Sequence, residues 1–220
     1  MKAIIFDMDG LMIDTEKFYY KVEKEIASEY GITLDNELLR DLMGMSPKDA
    51  GKIFIEKLKI NMSLEEFLEK RFAKMEIIYN TELKAMPGLY ELLNKFYKKV
   101  DLAIATGSPE KFLEIVVDKL SIRKYFKVLQ PSDEIKNGKP DPEIFIKTIN
   151  KLKLKFEDCI ILEDSLNGIV AGKRAGCYTI AVPNKYSINN DFSTADYIAK
   201  DLFDASIHLE DIIEKDKILI

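Results

Sequence analysis

The stretch Ile4-Ile5-Phe6-Asp7-Met8-Asp9-Gly10 begins as an apolar strand and ends in two carboxylates. A buried strand of a parallel sheet ends at the edge where open α/β folds bind ligands, so we expect Asp7 in that crevice. Side chains alternate along a strand, which sends Asp7 and Asp9 to the same side. Two adjacent negative charges are costly without a cation, and oxygen ligands favour the hard ion Mg²⁺. The alternative interpretation is a solvated turn, since Asp and Gly are common turn residues.

The composition is that of an ordinary globular protein. The chain has 220 residues, 47% of them hydrophobic, which suffices for one domain with a large insertion or for two small domains. The net charge is −5 and the lysines are mixed with acidic residues, which argues against a nucleic-acid partner. No apolar run approaches the roughly 20 residues of a membrane span, so we expect a cytoplasmic protein. Cys159 and Cys177 lie in apolar runs without paired spacing and are predicted to be buried free thiols.

The chain changes its periodicity twice. Residues 15–82 show helical spacing of apolar residues and no convincing strand, which predicts a helical insertion of three or four helices. Beyond Pro87, helices alternate with strands, as in a doubly wound parallel sheet of the α/β class. The predicted strands there are Val100 to Ala105, Lys127 to Leu129, Cys159 to Leu162, Tyr178 to Val182 and a short Tyr197-Ile198 segment. We therefore predict a catalytic core of residues 1–14 and 86–220 and a helical cap domain of residues 15–85.

Two further polar clusters lie at turns that precede helices. Thr106-Gly107-Ser108-Pro109 follows a predicted strand and offers hydroxyls and backbone amides that suit a phosphate oxygen. The alternative is that Ser108 is a plain helix N-cap. Lys139 lies in the proline-rich loop Gly138-Lys139-Pro140-Asp141-Pro142, where a fixed ammonium could neutralise a phosphoryl group. The alternative for this residue is a solvated surface charge.

A last cluster, Glu163-Asp164-Ser165, follows the strand predicted to end at Leu162. It brings more carboxylates to the sheet edge that holds Asp7 and Asp9, and such crowding of acids calls for a cation. The alternative is an acidic helix N-terminus stabilised by the helix dipole. Each cluster is ambiguous when taken alone, but four of them at one sheet edge are much less so.

Together these motifs resemble the haloacid dehalogenase superfamily, and the likeness covers the whole chain. The run from Phe6 to Glu16 is most similar to the branch that holds small-metabolite phosphatases and β-phosphoglucomutase. The resemblance implies that Asp7 is the nucleophile and that Asp9 is the general acid and base. It further implies a Mg²⁺ cofactor bound by Asp7, the Asp9 backbone carbonyl and Asp164, with Glu163 as support. Thr106, Gly107, Ser108 and Lys139 would bind the phosphoryl oxygens.

The inserted helices bear on the choice between hydrolysis and phosphoryl transfer. Members that act as β-phosphoglucomutase usually carry a histidine at the position of Tyr19 and basic residues at those of Met43 and Pro47, and this chain has none of them. We therefore predict a phosphatase acting on a small phosphomonoester, a sugar phosphate or nucleoside monophosphate. The run Phe18-Tyr19-Tyr20 is interpreted as core rather than substrate-facing.

Two alternatives remain open. One is a phosphomutase that uses other cap residues. The other, from a different class, is a non-enzymatic phospho-acceptor signalling domain, which also uses aspartates, a threonine and a lysine on a doubly wound sheet but is shorter and lacks an inserted cap. The expected partner is a small phosphorylated metabolite, with no nucleic acid and no membrane, and we expect a monomer.

Overall fold

A six-stranded sheet lies at the centre of the protein, as seen in a computed structural model that describes residues 1–42 and 45–218. Its strands are β1 (Ala3–Phe6), β2 (Asp101–Ala105), β3 (Val128–Gln130), β4 (Cys159–Glu163), β5 (Tyr178–Ala181) and β6 (Tyr197–Ile198). They run parallel in the order β3-β2-β1-β4-β5-β6. The predicted α/β fold class is confirmed, and each predicted strand lies within one or two residues of the observed one.

The helices of the described residues fall into two groups. Four follow β1 along the chain and form the helical insertion: α1 (Glu16–Glu29), α2 (Asn36–Leu42), α3 (Pro47–Leu58) and α4 (Leu64–Glu82). The others flank the strands: α5 (Leu89–Phe96), α6 (Glu110–Lys119), α7 (Glu143–Leu152), α8 (Leu166–Arg174) and α9 (Leu202–Ile218). Among the described residues, no helix combines the length and the apolar character needed to cross a bilayer.

The central strand β1 is buried on both of its faces. Ile4 and Phe6 pack in one apolar cluster with side chains of α5, α6 and α9, whereas Ala3 and Ile5 pack in another with α7 and α8. All four side chains are fully buried. A strand enclosed in this way needs an unbroken apolar sequence, and it delivers the residue after Phe6 directly to the carboxyl edge of the sheet.

The two connections to the helical insertion run side by side. Ile13 forms an antiparallel bridge with Ala85, and the Met86 amide donates to the Met12 carbonyl at 2.8 Å. Helix α4 also packs on α6 through the rings of Tyr79 and Phe112, whose centroids are 4.9 Å apart. The insertion is thereby anchored beside the end of β1. Its behaviour as a separate cap domain stays a prediction.

Both cysteines are free and buried, as predicted from their apolar surroundings. Cys159 lies at the start of β4, and Cys177 directly precedes β5. Burial raises the pKa of each thiol to about 12, so neither forms a reactive thiolate near neutral pH.

Candidate active site

The polar residues that follow β1, β2 and β4 converge on one cleft at the carboxyl edge of the sheet. The residues predicted to act there that line this cleft are Asp7, Asp9, Gly107, Ser108, Lys139, Glu163 and Asp164. Thr106 joins them through a hydrogen bond to Asp9. The sequence motifs therefore meet in space, although this proximity does not by itself assign a role to each residue.

The acidic cluster consists of Asp7, Glu163 and Asp164. Each is buried and offers one carboxylate oxygen, and these oxygens all lie within 4.8 Å of one another. Lys139 is the ammonium facing them, and its Nζ bonds to Asp7 and lies 2.6 Å from Glu163 Oε1. Lys139 is thus buried in an ion pair with two carboxylates, so its interpretation as a solvated surface charge is wrong.

Electrostatics show that Lys139 alone does not balance this cluster. Burial raises the pKa of Asp7 to about 8 despite the opposing effect of Lys139, and the charge on Glu163 raises it further. Burial works against the charged form of Lys139, but Asp7 and Glu163 outweigh it and raise the pKa of the ammonium. An additional cation would relieve the excess negative charge, and three carboxylate oxygens are suitable ligands for a hard divalent ion.

Asp164 is held by a residue that sequence reasoning did not single out. Asn184 Nδ2 donates to Asp164 Oδ2 at 2.7 Å and to the Gly10 carbonyl at 3.1 Å. Gly10 has φ +82°, and a Cβ there would lie 2.1 Å from Asp164 Oδ2. The signal for Asn184 was available, because it follows the end of β5 as the other site residues follow their strands.

Replacing Gly10 with alanine should therefore displace Asp164. We expect Gly10→Ala to lose about 2–6 kcal/mol of unfolding free energy, the sum of left-handed backbone strain and overpacking, and to lose most of its activity. Gly31→Ala is the matched control, since Gly31 has φ +72° but nothing lies within 4 Å of an added Cβ. Urea denaturation and phosphate release measure both effects. Equal losses in the two variants would show that the contact with Asp164 is unimportant.

The Asp9 side chain lies in a cage of hydroxyl groups outside the acidic cluster. Oδ1 accepts from Thr15 at 2.8 Å and from Tyr79 at 2.7 Å, while Oδ2 accepts from Ser108 at 2.7 Å and Thr106 at 3.2 Å. Two of these donors come from the turn after β2, one from the start of the helical insertion and one from α4. Asp9 is therefore positioned jointly by the sheet edge and the insertion.

The cage overturns one alternative interpretation and adds two residues to the site. Ser108 does not cap α6, whose N-cap is Pro109, and instead uses its hydroxyl on Asp9. Thr15 and Tyr79 were not foreseen as site residues. Tyr79 could not be distinguished in the sequence from an ordinary core aromatic, because it is fully buried on α4 and only its hydroxyl reaches the site.

The helical insertion forms the opposite wall of the cleft. Its lining residues are Tyr19, Tyr20, Glu23, Leu39, Leu42, Met45, Pro47 and Arg71. The expectation that Phe18-Tyr19-Tyr20 is core holds for Phe18, which is 2% exposed. Tyr19 and Tyr20 are only partly buried against the core and also line the cleft. Pro47 does line the cleft, whereas Met43 lies outside the described residues.

Comparison with known proteins agrees with this architecture. Residues 4–182 match the family described as haloacid dehalogenase-like hydrolase. A phosphorylated carbohydrates phosphatase of Thermotoga maritima is 36% identical over 177 residues, covering 80% of this chain and 82% of the relative. A (DL)-glycerol-3-phosphatase of Arabidopsis thaliana is 30% identical over 212 residues, covering 91% and 87%. The crystal structure of a β-phosphoglucomutase from Clostridium difficile, 23% identical, superposes with a TM-score of 0.82 over the whole of both chains and supports the fold.

The chain therefore belongs to the haloacid dehalogenase-like hydrolase family. The prediction of an enzyme, a phosphoric monoester hydrolase of this family, is confirmed by the relatives.

Proposed function

We propose that this protein is a Mg²⁺-dependent phosphatase that hydrolyses a small phosphomonoester through an aspartyl-phosphate on Asp7. The observation that carries the proposal is the pairing of two differently held aspartates. Asp7 is buried against Lys139 and the acidic cluster, whereas Asp9 is held by four hydroxyl groups, two from the turn after β2 and two from the helical insertion. These two environments support a role for Asp7 in the attack on phosphorus and a role for Asp9 in proton exchange with the leaving group. Relatives that act on phosphorylated carbohydrates and on glycerol 3-phosphate suggest a sugar phosphate, and a nucleoside monophosphate is the other class we propose.

In the first step Asp7 forms a bond to phosphorus as the bond to the ester oxygen breaks, and Asp9 gives that oxygen a proton. In the second step Asp9 removes a proton from water, which attacks phosphorus, releases inorganic phosphate and restores the Asp7 carboxylate. Asp9 has four hydroxyl partners in this structure, so it must release at least one to reach the leaving oxygen. Helix α4 carries one of these partners, which ties this release to the position of the insertion.

The phosphoryl group would be held by the turn after β2 and by Lys139. Gly107 is exposed with nothing within 4 Å of a built Cβ, so its backbone can be approached closely. The hydroxyls of Thr106 and Ser108, which donate to Asp9 here, would donate to phosphoryl oxygens instead when substrate is bound. Mg²⁺, held by Asp7, Asp164 and the Asp9 carbonyl with Glu163 in support, would neutralise and align the phosphoryl oxygens.

The described part of the insertion favours hydrolysis over a mutase. A mutase must grip a second phosphate while its intermediate turns over, and that requires unpaired cationic groups. Tyr19 and Pro47 supply none, and the Arg71 guanidinium is paired with Glu23. Water should then reach the aspartyl-phosphate. We further propose that the insertion acts as a cap that closes over the substrate, and that the enzyme is a cytoplasmic monomer.

A screen of phosphorylated metabolites for phosphate release tests the proposal, with p-nitrophenyl phosphate as a generic substrate. We expect phosphate release that EDTA abolishes and Mg²⁺ restores, and inhibition by excess Ca²⁺, whose looser coordination misplaces Asp7. The parallel assay supplies β-glucose 1-phosphate with β-glucose 1,6-bisphosphate as primer. Conversion to glucose 6-phosphate with negligible free phosphate would refute the phosphatase and establish the mutase, and full activity in EDTA would refute the metal requirement.

A further inference from the structure

A buried ion pair lies among the residues of the helical insertion that line the cleft. Glu23 of α1 and Arg71 of α4 are joined by a contact of 2.8 Å between Nη2 and Oε1, and their side chains are only 3% and 7% exposed. Both residues line the cleft. Burying two charges costs desolvation free energy that their attraction often fails to recover, so stability alone is a weak reason for such a pair.

The guanidinium retains hydrogen-bonding capacity beyond the ion pair. Arg71 Nε is buried and has no hydrogen-bond partner among the described residues. The guanidinium carbon lies 4.6 Å from the centre of the Tyr19 ring, and the Tyr19 hydroxyl lies 3.5 Å from Ser108 Oγ. The pair is therefore about one tyrosine side chain away from the phosphate-binding turn, a distance that the carbon chain of a hexose phosphate spans.

The charge of this wall limits what it can bind. Among the described lining residues from the insertion, Glu23 and Arg71 are the charged ones, and their charges cancel. A carboxylate accepts hydrogen bonds and a guanidinium donates them, whereas each hydroxyl of a polyol does both. A second phosphate or a carboxylate on the substrate would face Glu23 and gain little from an arginine already paired with it.

We infer that the Glu23–Arg71 pair is a specificity subsite that binds hydroxyl groups of the leaving alcohol and so selects uncharged polyol or sugar monophosphates over substrates with a second anionic group. This inference rests on the proposed phosphatase function and adds the residues that select the substrate. Glu23 accepts from one hydroxyl while Arg71 donates to its neighbour. The same pair, by cancelling its own charge, leaves a distal anion without a counter-charge.

Two substrates that differ at one carbon provide the test. Glucitol 6-phosphate ends in CH₂OH at C1, where 6-phosphogluconate carries a carboxylate, and hexyl phosphate has no distal polar group. For the wild-type enzyme we expect kcat/KM for glucitol 6-phosphate to exceed that for 6-phosphogluconate and that for hexyl phosphate by about tenfold or more. This is the effect expected when a substrate lacks one hydrogen bond to a charged group. Glu23→Gln removes the charge that neutralises Arg71. The ratio of kcat/KM for glucitol 6-phosphate to kcat/KM for 6-phosphogluconate should therefore fall by about tenfold or more.

The control variant breaks an ion pair between the same two helices away from the cleft. Glu25 of α1 pairs with Lys74 of α4 at 3.2 Å, and its side chain is 44% exposed. Glu25→Gln should leave the ratio of kcat/KM for glucitol 6-phosphate to kcat/KM for 6-phosphogluconate unchanged. Because Glu23→Gln buries an unpaired arginine and could unfold, the double variant Glu23→Leu/Arg71→Met provides a neutral wall. In the double variant, kcat/KM for glucitol 6-phosphate should fall to the value for hexyl phosphate, and kcat/KM for 6-phosphogluconate should not rise.

The outcomes separate this inference from the proposed function. Phosphate release with the same substrate ratios in wild type, Glu23→Gln and the double variant would overturn the inference and leave a purely structural ion pair. A wild-type enzyme that releases no phosphate from p-nitrophenyl phosphate or any of the three substrates would overturn the proposed function and the inference with it.

Discussion

Asp7→Asn should lower the rate of phosphate release by about 10⁴-fold or more, the range found when a covalent nucleophile is removed. The amide has nearly the shape of the carboxylate but cannot attack phosphorus. We also expect no acid-stable, base-labile phosphoryl group on the protein after rapid quenching with radiolabelled substrate. The fold should survive, because the change removes one negative charge from a buried cluster that has an excess of them.

Two further variants, a surface control and a change at the second aspartate, are compared with Asp7→Asn. Asp118→Asn alters a 68% exposed aspartate that pairs with Arg123 on the surface and should retain full activity. Asp9→Asn should lose turnover while still binding substrate and metal, since its carboxylate lies outside the acidic cluster. If Asp7→Asn kept more than a trace of the wild-type rate, Asp7 would not be the nucleophile.

The sheet and its catalytic edge could be predicted because their signals are local. Unbroken apolar runs such as Ile4 to Phe6 fix the buried strands, and the polar residue after each run must lie at the carboxyl edge of a parallel sheet. Strand ends were misplaced by a residue or two because fraying and register depend on neighbours in space.

The opposite wall of the cleft was not predictable in the same way. Tyr79 and Arg71 lie on α4, where helical spacing shows which face is buried but not whether that face meets core or cleft. The partner of Arg71 is Glu23, 48 residues earlier on another helix, and no local pattern connects two such positions. Substrate-facing residues of the insertion therefore required the tertiary structure, whereas the sheet-edge residues did not.

The acidic cluster makes Lys139 important for stability as well as for phosphate binding. Its side chain is 9% exposed and forms ion pairs with both Asp7 and Glu163. Glu163 also accepts a hydrogen bond from the Ser165 amide at 2.9 Å. Glu163 has little room to move, because a Cβ at Gly168 would lie 1.8 Å from its carboxyl carbon. Removing the ammonium would leave these carboxylates buried together without their counter-charge.

Lys139→Met should therefore lose about 3–5 kcal/mol of unfolding free energy in EDTA, the usual cost of breaking a buried ion pair from one side. Phosphate release should fall by about 10²- to 10³-fold, because the charge that stabilises the transferring phosphoryl group is gone. Urea denaturation measures the first effect, and added Mg²⁺ should restore part of it by supplying positive charge to the same carboxylates. Lys136→Met, an exposed change in the same loop, is the control and should alter neither quantity. A Lys139→Met enzyme as stable as the control in EDTA would show that Asp7 and Glu163 tolerate each other without a cation.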